Sequence, residues 1–361
     1  MKYIIRAGIV LILLISLWAV YNTRWLWLDY LTSPPMNFIE NEDISLALYP
    51  EGYRSASVFT NSGACADTAS EFIDTLRIRL VNLGIPGTFF VSAFQTGREE
   101  LTKNHRQLWE LIELQQQGFE ISQDCQDRKS APGGWEDNIK DGRAALISLG
   151  LRVEGYRSPL SSPYGNINKY LNRKNYLYNY ISPDPPITFR TFLFSGCRRS
   201  IIFPSHPEGG NLLEVVSGAE PVIRPEKARK KFKNIHSRGG VFIFRTELPR
   251  VMDDKNLAIL EDFLRYIKEQ DTWLCTLKEL CDWWLAREKV DITTHREGNV
   301  LTIIYDNQEP IEMRNARISF KKYSDGPEIY RVMNRSGEVS AEGFIPESGW
   351  INVTLFPSGR E

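Results

Sequence analysis

Apolar positions along this chain change period repeatedly, and each change marks an element. Phe72, Leu76, Leu80 and Leu83 recur at helical spacing and predict an amphipathic helix over 69–83. Leu108, Leu111, Ile112 and Leu114 predict another over 105–117, with Gly118 at its stop. Further helices are predicted over 136–149, over 257–267 with Leu257, Leu260, Phe263, Leu264 and Ile267 on one face, and over 277–285. Short strand-like runs stand between them at 53–60, 88–91, 119–121, 152–156, 176–181, 240–245 and 273–276. Gly84-Ile85-Pro86-Gly87 is the turn that feeds the second of these. Helix, turn, short strand and polar loop in repetition predict an α/β barrel or a doubly wound sheet. The stretch 160–235 signals less: a loop at 163–165, a short helix over 167–172, rigid turn material at Pro183-Asp184-Pro185-Pro186 and a strand over 201–204.

From Val290 the texture becomes short alternating runs at 300–305, 316–323, 329–333, 339–344 and 351–356, separated by Asp306-Asn307, Asp325-Gly326 and Ser336-Gly337. That spacing predicts a small all-β sandwich of about five strands. Its expected role is packing or spacing, since no aromatic platform stands out in the sequence.

At the other end, Lys2 and Arg6 precede an apolar run from Ala7 to Tyr21, followed by Trp25 and Trp27. This is a signal peptide or an uncleaved anchor. No small-x-small cleavage site precedes Asn22, so an anchor is expected, its positive end in the cytoplasm and the Trp pair at the far interface. The main domain is then extracytoplasmic, on a single pass through the cytoplasmic membrane. The expected layout is an anchor over 1–27, a linker over 28–52, an α/β domain over 53–287 and the sandwich over 290–361.

A length of 361 residues favours one large and one small domain. The net charge of −1 supplies no overall basic field, which argues against nucleic acid as a partner. Four His are present, at 105, 206, 236 and 295, and His206 in Ser-His-Pro-Glu-Gly-Gly reads as an exposed loop residue. Five Cys in an exported chain raise the question of disulfides, and Cys275 and Cys281, six apart, are one candidate pair. The alternative is buried free thiols acting as small hydrophobes.

Three segments in order carry a resemblance: Gly84-Ile85-Pro86-Gly87-Thr88-Phe89-Phe90-Val91, then Gly118-Phe119-Glu120-Ile121, then Arg157-Ser158-Pro159. Over about residues 53–287 the chain resembles the polysaccharide deacetylase (NodB-homology, carbohydrate esterase family 4) proteins. Those read Thr-Phe-Asp-Asp-Gly, Gly-Ile-x-Ala-Thr-Phe-Phe-Val, Gly-His-Glu-Ile-x-x-His-x-x-x-His, Arg-x-Pro and a late strand ending in His. The resemblance implies a distorted (β/α) barrel, a polysaccharide or glycan partner, and zinc or another divalent metal held by one Asp and two His.

At the matching positions this chain has Asn61 and Ser62, then Asp124 and Arg128, then Arg157, with Arg245 ending the late strand. None of the four His falls on a ligand position, so no metal is expected and no catalytic residue is assigned. Cys65 and Cys125 follow or lie within two of these segments, and the resemblance implies a Cys65–Cys125 bridge across the vacated site. The ligand cleft it implies contains Asp124, Arg128, Arg157, Pro159, Tyr164, Arg245 and Glu247. Three readings follow. In the leading one the protein binds glycan or an envelope-assembly partner, through arginines suited to an acidic sugar. In the second, a carbohydrate hydrolase or deacetylase works with a rebuilt site, for which Asp124, Asp127 and Glu247 are the carboxylates. In the third, the protein is a structural assembly subunit. Against the second, carboxylates held by arginine make poor general acids.

Overall fold

The computed structural model describes residues 15–16, 40–63, 69–93, 105–125, 134–158, 164–181, 202–207, 210–216, 218–251, 253–321 and 328–357. Among these, no helix is long and apolar enough to cross a membrane, and most of the expected anchor lies outside the described residues.

The larger domain is a distorted (β/α) barrel. Its parallel strands are β2 (Ser55–Ser62), β3 (Gly87–Val91), β4 (Glu120–Gln123), β5 (Gly155–Ser158), β6 (Tyr178–Ile181), β7 (Leu213–Val216), β8 (Val241–Glu247) and β9 (Thr272–Cys275). They run in the order β7-β6-β5-β4-β3-β2-β8. Every residue of β2 is buried, as a strand covered on both faces requires. One edge of β2 pairs with β8; its other edge takes β9 over Ser55–Val58 and β3 over Phe59–Ser62. Between β7 and β8 the ring closes through isolated backbone bonds, Val241 N–H to Ile202 O at 2.7 Å and Arg245 N–H to Ala219 O at 2.9 Å. Residues 202–204, expected as a strand, supply only such a bond. The strand at this edge is β7, which the sequence pattern did not separate from its surroundings.

Helices α1 (Ala69–Leu83), α2 (His105–Gln116), α3 (Trp135–Ser148), α4 (Tyr164–Arg173), α5 (Pro225–Ser237), α6 (Asp254–Lys268) and α7 (Leu277–Lys289) alternate with the strands. Their starts follow local chemistry. The Asp253 side chain caps α6 by accepting from Asn256 N–H at 2.8 Å, and Thr276 with Glu279 forms a capping box on α7. Helix α5, absent from the sequence reading, opens on Pro225 and buries Ala228, Phe232 and Ile235.

The C-terminal unit consists of two packed sheets, β10 (Val290–Glu297), β11 (Val300–Asn307), β13 (Ile329–Asn334) and β14 (Val339–Phe344) against β12 (Met313–Phe320), β15 (Trp350–Leu355) and β1 (Ile44–Leu46). Strand β1 corrects the linker expectation for residues 40–52. Ile44 and Leu46 are buried in the sandwich core and Tyr49 in the barrel core, so this segment is folded into both units. Helix α7 joins the units: Leu280, Cys281, Trp284 and Leu285 face the barrel, while Trp283 and Ala286 enter the sandwich. Trp283 also donates its indole N–H to Leu48 O at 2.9 Å.

Candidate functional site

Strand alternation decides which side chains enter the barrel. The hydroxyls of Thr60 and Tyr180 approach to 3.4 Å across the interior, and Phe59 packs against Phe244, which meets Phe263 of α6. Thr60 and Ser62 therefore face the interior, and Asn61 shares the face of Phe59 toward the helices. Register carries the assignment round the sheet, placing Phe90, Arg157, Tyr180, Arg245 and Glu247 inside. Asp124 follows β4 directly and continues its pairing through an N–H bond to Val91 O at 2.8 Å.

At this mouth, the C-terminal end of the strands, charge meets charge. Arg157 Nε lies 2.5 Å from Asp124 Oδ1; the Asp124 side chain is 5% exposed and the Arg157 side chain 19%. Burial disfavours the Arg157 cation, and Asp124 more than offsets that, so the pKa of the guanidinium is raised. On β8, Arg245 bonds Glu220 through Nε at 2.5 Å and also through Nη2. Arg250 reaches Glu220 at 3.7 Å and donates to Glu247 at 2.8 Å. Beneath these pairs Tyr180 stacks on Phe90 with ring centroids 4.9 Å apart. Cys125, next to Asp124, is a free thiol pushed up to about 12, by burial first and by the Asp124 charge second. It is held neutral and is a poor nucleophile or thiolate ligand.

The opposite end, the floor, is built differently. Glu120 accepts from Thr88 Oγ1 at 2.8 Å, Ser122 Oγ at 2.9 Å, Tyr178 Oη at 2.7 Å and the Lys278 N–H at 2.8 Å. The last donor belongs to the first turn of α7, so the carboxylate also caps that helix. Burial raises the Glu120 pKa against the pull of these donors. Tyr178 reaches across only because β5 has a glycine there: a Cβ on Gly155 would lie 2.0 Å from Tyr178 Cζ. A cleft of about 630 Å³ opens between the barrel and the sandwich, lined by Asn172, Asn175, Tyr176, Asn211 and Glu309 among others, and Asp124, Arg157, Arg245 and Glu247 do not line it.

Solved structures share this architecture. A protein described as a polysaccharide deacetylase from Mycobacterium smegmatis matches with a TM-score of 0.52 at 17% identity, over 70% of this chain and 98% of that one. The allantoinase Puue matches with a TM-score of 0.51 at 16% identity, over 71% and 95%. The barrel has the polysaccharide deacetylase fold. A weaker match, with a TM-score of 0.33 at 11% identity over 63% of this chain and 65% of that one, is a CE4 family pseudoenzyme from Bacillus anthracis. No family model matches the sequence, and no curated protein is similar to it.

Within the polysaccharide deacetylase fold, Ser62, Asp124, Arg157 and Arg245 all stand on the interior face toward the C-terminal ends of the strands, and of these Asp124 and Arg157 are in contact. Asn61 does not join them. Its side-chain oxygen and nitrogen are buried and unpartnered, as is the hydroxyl of Thr246, its register neighbour on β8. Arg128, Pro159, Asp127 and Cys65 lie outside the described residues, as does the side chain of Tyr164, which opens α4. Glu247 pairs with Arg250 rather than with Arg245. Arg245 pairs with Glu220, a residue the sequence reading did not single out. His206 is not an exposed loop residue: its Nε2 lies 2.6 Å from Glu288 of α7. Cys275 and Cys281 are buried free thiols and do not pair.

The described residues do not fit a divalent cation. Asp124 is engaged by Arg157, Ser62 offers a neutral hydroxyl, and Glu220 is engaged by Arg245, so the carboxylates of this interior are held by guanidinium groups. No group of three or more His, Cys, Asp or Glu suited to a metal occurs among the described residues.

Proposed function

We propose that this protein keeps the polysaccharide deacetylase barrel without its metal-dependent amide hydrolysis, and serves envelope or exopolysaccharide metabolism by binding a glycan or a protein partner. In this reading the N-terminal segment holds it to the cytoplasmic membrane and the barrel lies outside. One observation carries the proposal: the Asp124–Arg157 ion pair stands where the resemblance puts a metal ligand and the arginine that orients the catalytic carboxylate. A carboxylate whose Oδ1 is held by a guanidinium at 2.5 Å is a weakened cation ligand, and Arg245 on the same interior face holds Glu220 in the same way.

The test uses the full chain extracted in a non-ionic detergent. Metal content is measured by plasma mass spectrometry, and acetate release from N-acetylglucosamine oligomers is followed with zinc added. The expected result is no stoichiometric metal and no acetate, with binding to a subset of a glycan array. Stoichiometric zinc together with acetate release that Asp124→Asn abolishes would establish instead a hydrolase with a rebuilt site.

A further inference from the structure

Helix α5 differs in charge from the rest of the molecule. From Arg224 to Arg238 the chain carries seven Lys or Arg and one carboxylate, Glu226, in a protein whose net charge is −1. The helix rests on the barrel through its apolar face, where Phe232 meets Phe242 at 5.4 Å edge to face. Arg229 is spent on packing, 2.6 Å from Asp262 and over the ring of Tyr266. Arg224, Lys227, Lys230 and Lys233 are exposed, and the three lysines form no ion pair among the described residues. Lys227 to Lys233 spans about 9 Å of helix axis, and the whole helix about 20 Å.

The row has defined ends. At one end the Arg224 N–H bonds Glu220 O at 3.2 Å, one turn from the Arg245–Glu220 pair at the mouth. At the other, exposed Arg54 donates to Ser237 O at 3.1 Å and continues the positive strip toward the floor. The acidic groups nearby are Glu226, Asp262, already paired with Arg229, and Asp271, whose field reaches His236 at the helix end. They do not balance the strip.

We infer that the outer face of α5 is a docking strip for a linear polyanionic glycan, laid along the helix from the mouth toward the floor. Cations repeated along a rod match an extended polymer of carboxylated or otherwise anionic sugars, each contact releasing counterions. A membrane surface fits less well. An interfacial helix sinks an apolar face into the headgroup region, and here that face, Ala228, Phe232 and Ile235, is already in the barrel. Ile223, 45% exposed, is the large apolar side chain beside the strip.

The inference takes from the preceding reading that the partner is a glycan, and it places that glycan away from the Asp124–Arg157 pair. Acetate release would therefore overturn the earlier proposal without touching this one. The experiment measures retention of the full chain on immobilised polygalacturonate at low salt and its release as salt rises. It compares wild type with Lys227→Glu/Lys230→Glu/Lys233→Glu and with a control, Lys140→Glu/Lys169→Glu, on α3 and α4. The expected result is salt-sensitive retention of wild type and control, and an affinity loss of at least about tenfold in the triple variant at unchanged melting temperature. Absence of wild-type retention at low salt, or equal retention of the triple variant, overturns the inference. So does a preference for phosphatidylglycerol vesicles or duplex DNA over polygalacturonate, which would make the strip a lipid or nucleic-acid contact.

Discussion

At the floor of the barrel Glu120 is met by three hydroxyls and a helix N–H; at the mouth Asp124 is met by a guanidinium. Both carboxylates are buried, and both lie on or just after β4. The floor is a neutral donor set that tolerates either protonation state, because its hydroxyls rotate. The mouth is a locked pair of full charges, in which losing one partner strands the other. The end of the barrel where parallel α/β folds place chemistry carries ion pairs in this chain, and the end that holds α7 carries a polar hydroxyl network.

The largest effect expected on this contrast comes from Arg157→Ala, which leaves the Asp124 charge buried without its partner. A loss of about 3 kcal/mol is expected in urea denaturation, with Asp124→Asn costing about 2 kcal/mol because Arg157 retains some solvent. A cost for Arg157→Ala below about 1 kcal/mol would mean the mouth is wet, and the contrast would fail. Next in size is Gly155→Ala at the floor. Its Cβ displaces the Tyr178 ring and thereby the Glu120 network, at an expected cost of about 1–3 kcal/mol by the same measurement.

Glu120→Gln should cost no more than about 1 kcal/mol at neutral pH, since the Ser122 and Tyr178 hydroxyls can turn to accept from the amide. The variant also changes the pH response. A carboxyl whose folded pKa is raised contributes stability that is fully present below its unfolded value and is lost as pH rises through the folded value. Wild type should therefore lose stability over that window and Glu120→Gln should lose less, read as melting temperature against pH. The smallest effect is at the half-buried pair His206–Glu288. The hydrogen bond that the His206 ring donates to Glu288 raises the His206 pKa, so this pair's contribution, under about 1 kcal/mol, is present below about pH 6.5 and fades as pH rises through the raised value. His206→Gln should remove that slope while leaving the Glu120 slope in place.

Much of the barrel was legible along the chain. The helix stripes over 69–83 and 257–267 and the buried run before Arg245 place α1, α6 and β8, because amphipathic period is a local property. The boundaries slipped by two or three residues: the first barrel strand, expected over 53–60, is Ser55–Ser62. Helix α5 escaped because five Lys or Arg between Lys227 and Lys233 dilute an apolar face of only Ala228, Phe232 and Ile235. Strand β1 escaped because three residues carry no period, and Ile44 and Leu46 become core only against β12. The same holds at the candidate site. The replacement of the expected Asp and His by Asn61, Ser62 and Asp124 was visible, whereas the pairing of Arg245 with Glu220, 25 residues earlier, was not.

The sequence by itself determined the alternation of helices and strands, the change of texture at Val290, and which residues stand at the positions the resemblance assigns to metal and catalysis. These follow from period and residue type, which short stretches carry alone. Only the tertiary structure decided that Asn61 faces the helices while Ser62 faces the interior, that Asp124 is closed by Arg157, that residues 40–52 belong to both domains, and that the lysines of α5 stand outward in a row. Each of these depends on strand register and barrel closure, which bring together side chains far apart in the chain and which no local pattern specifies.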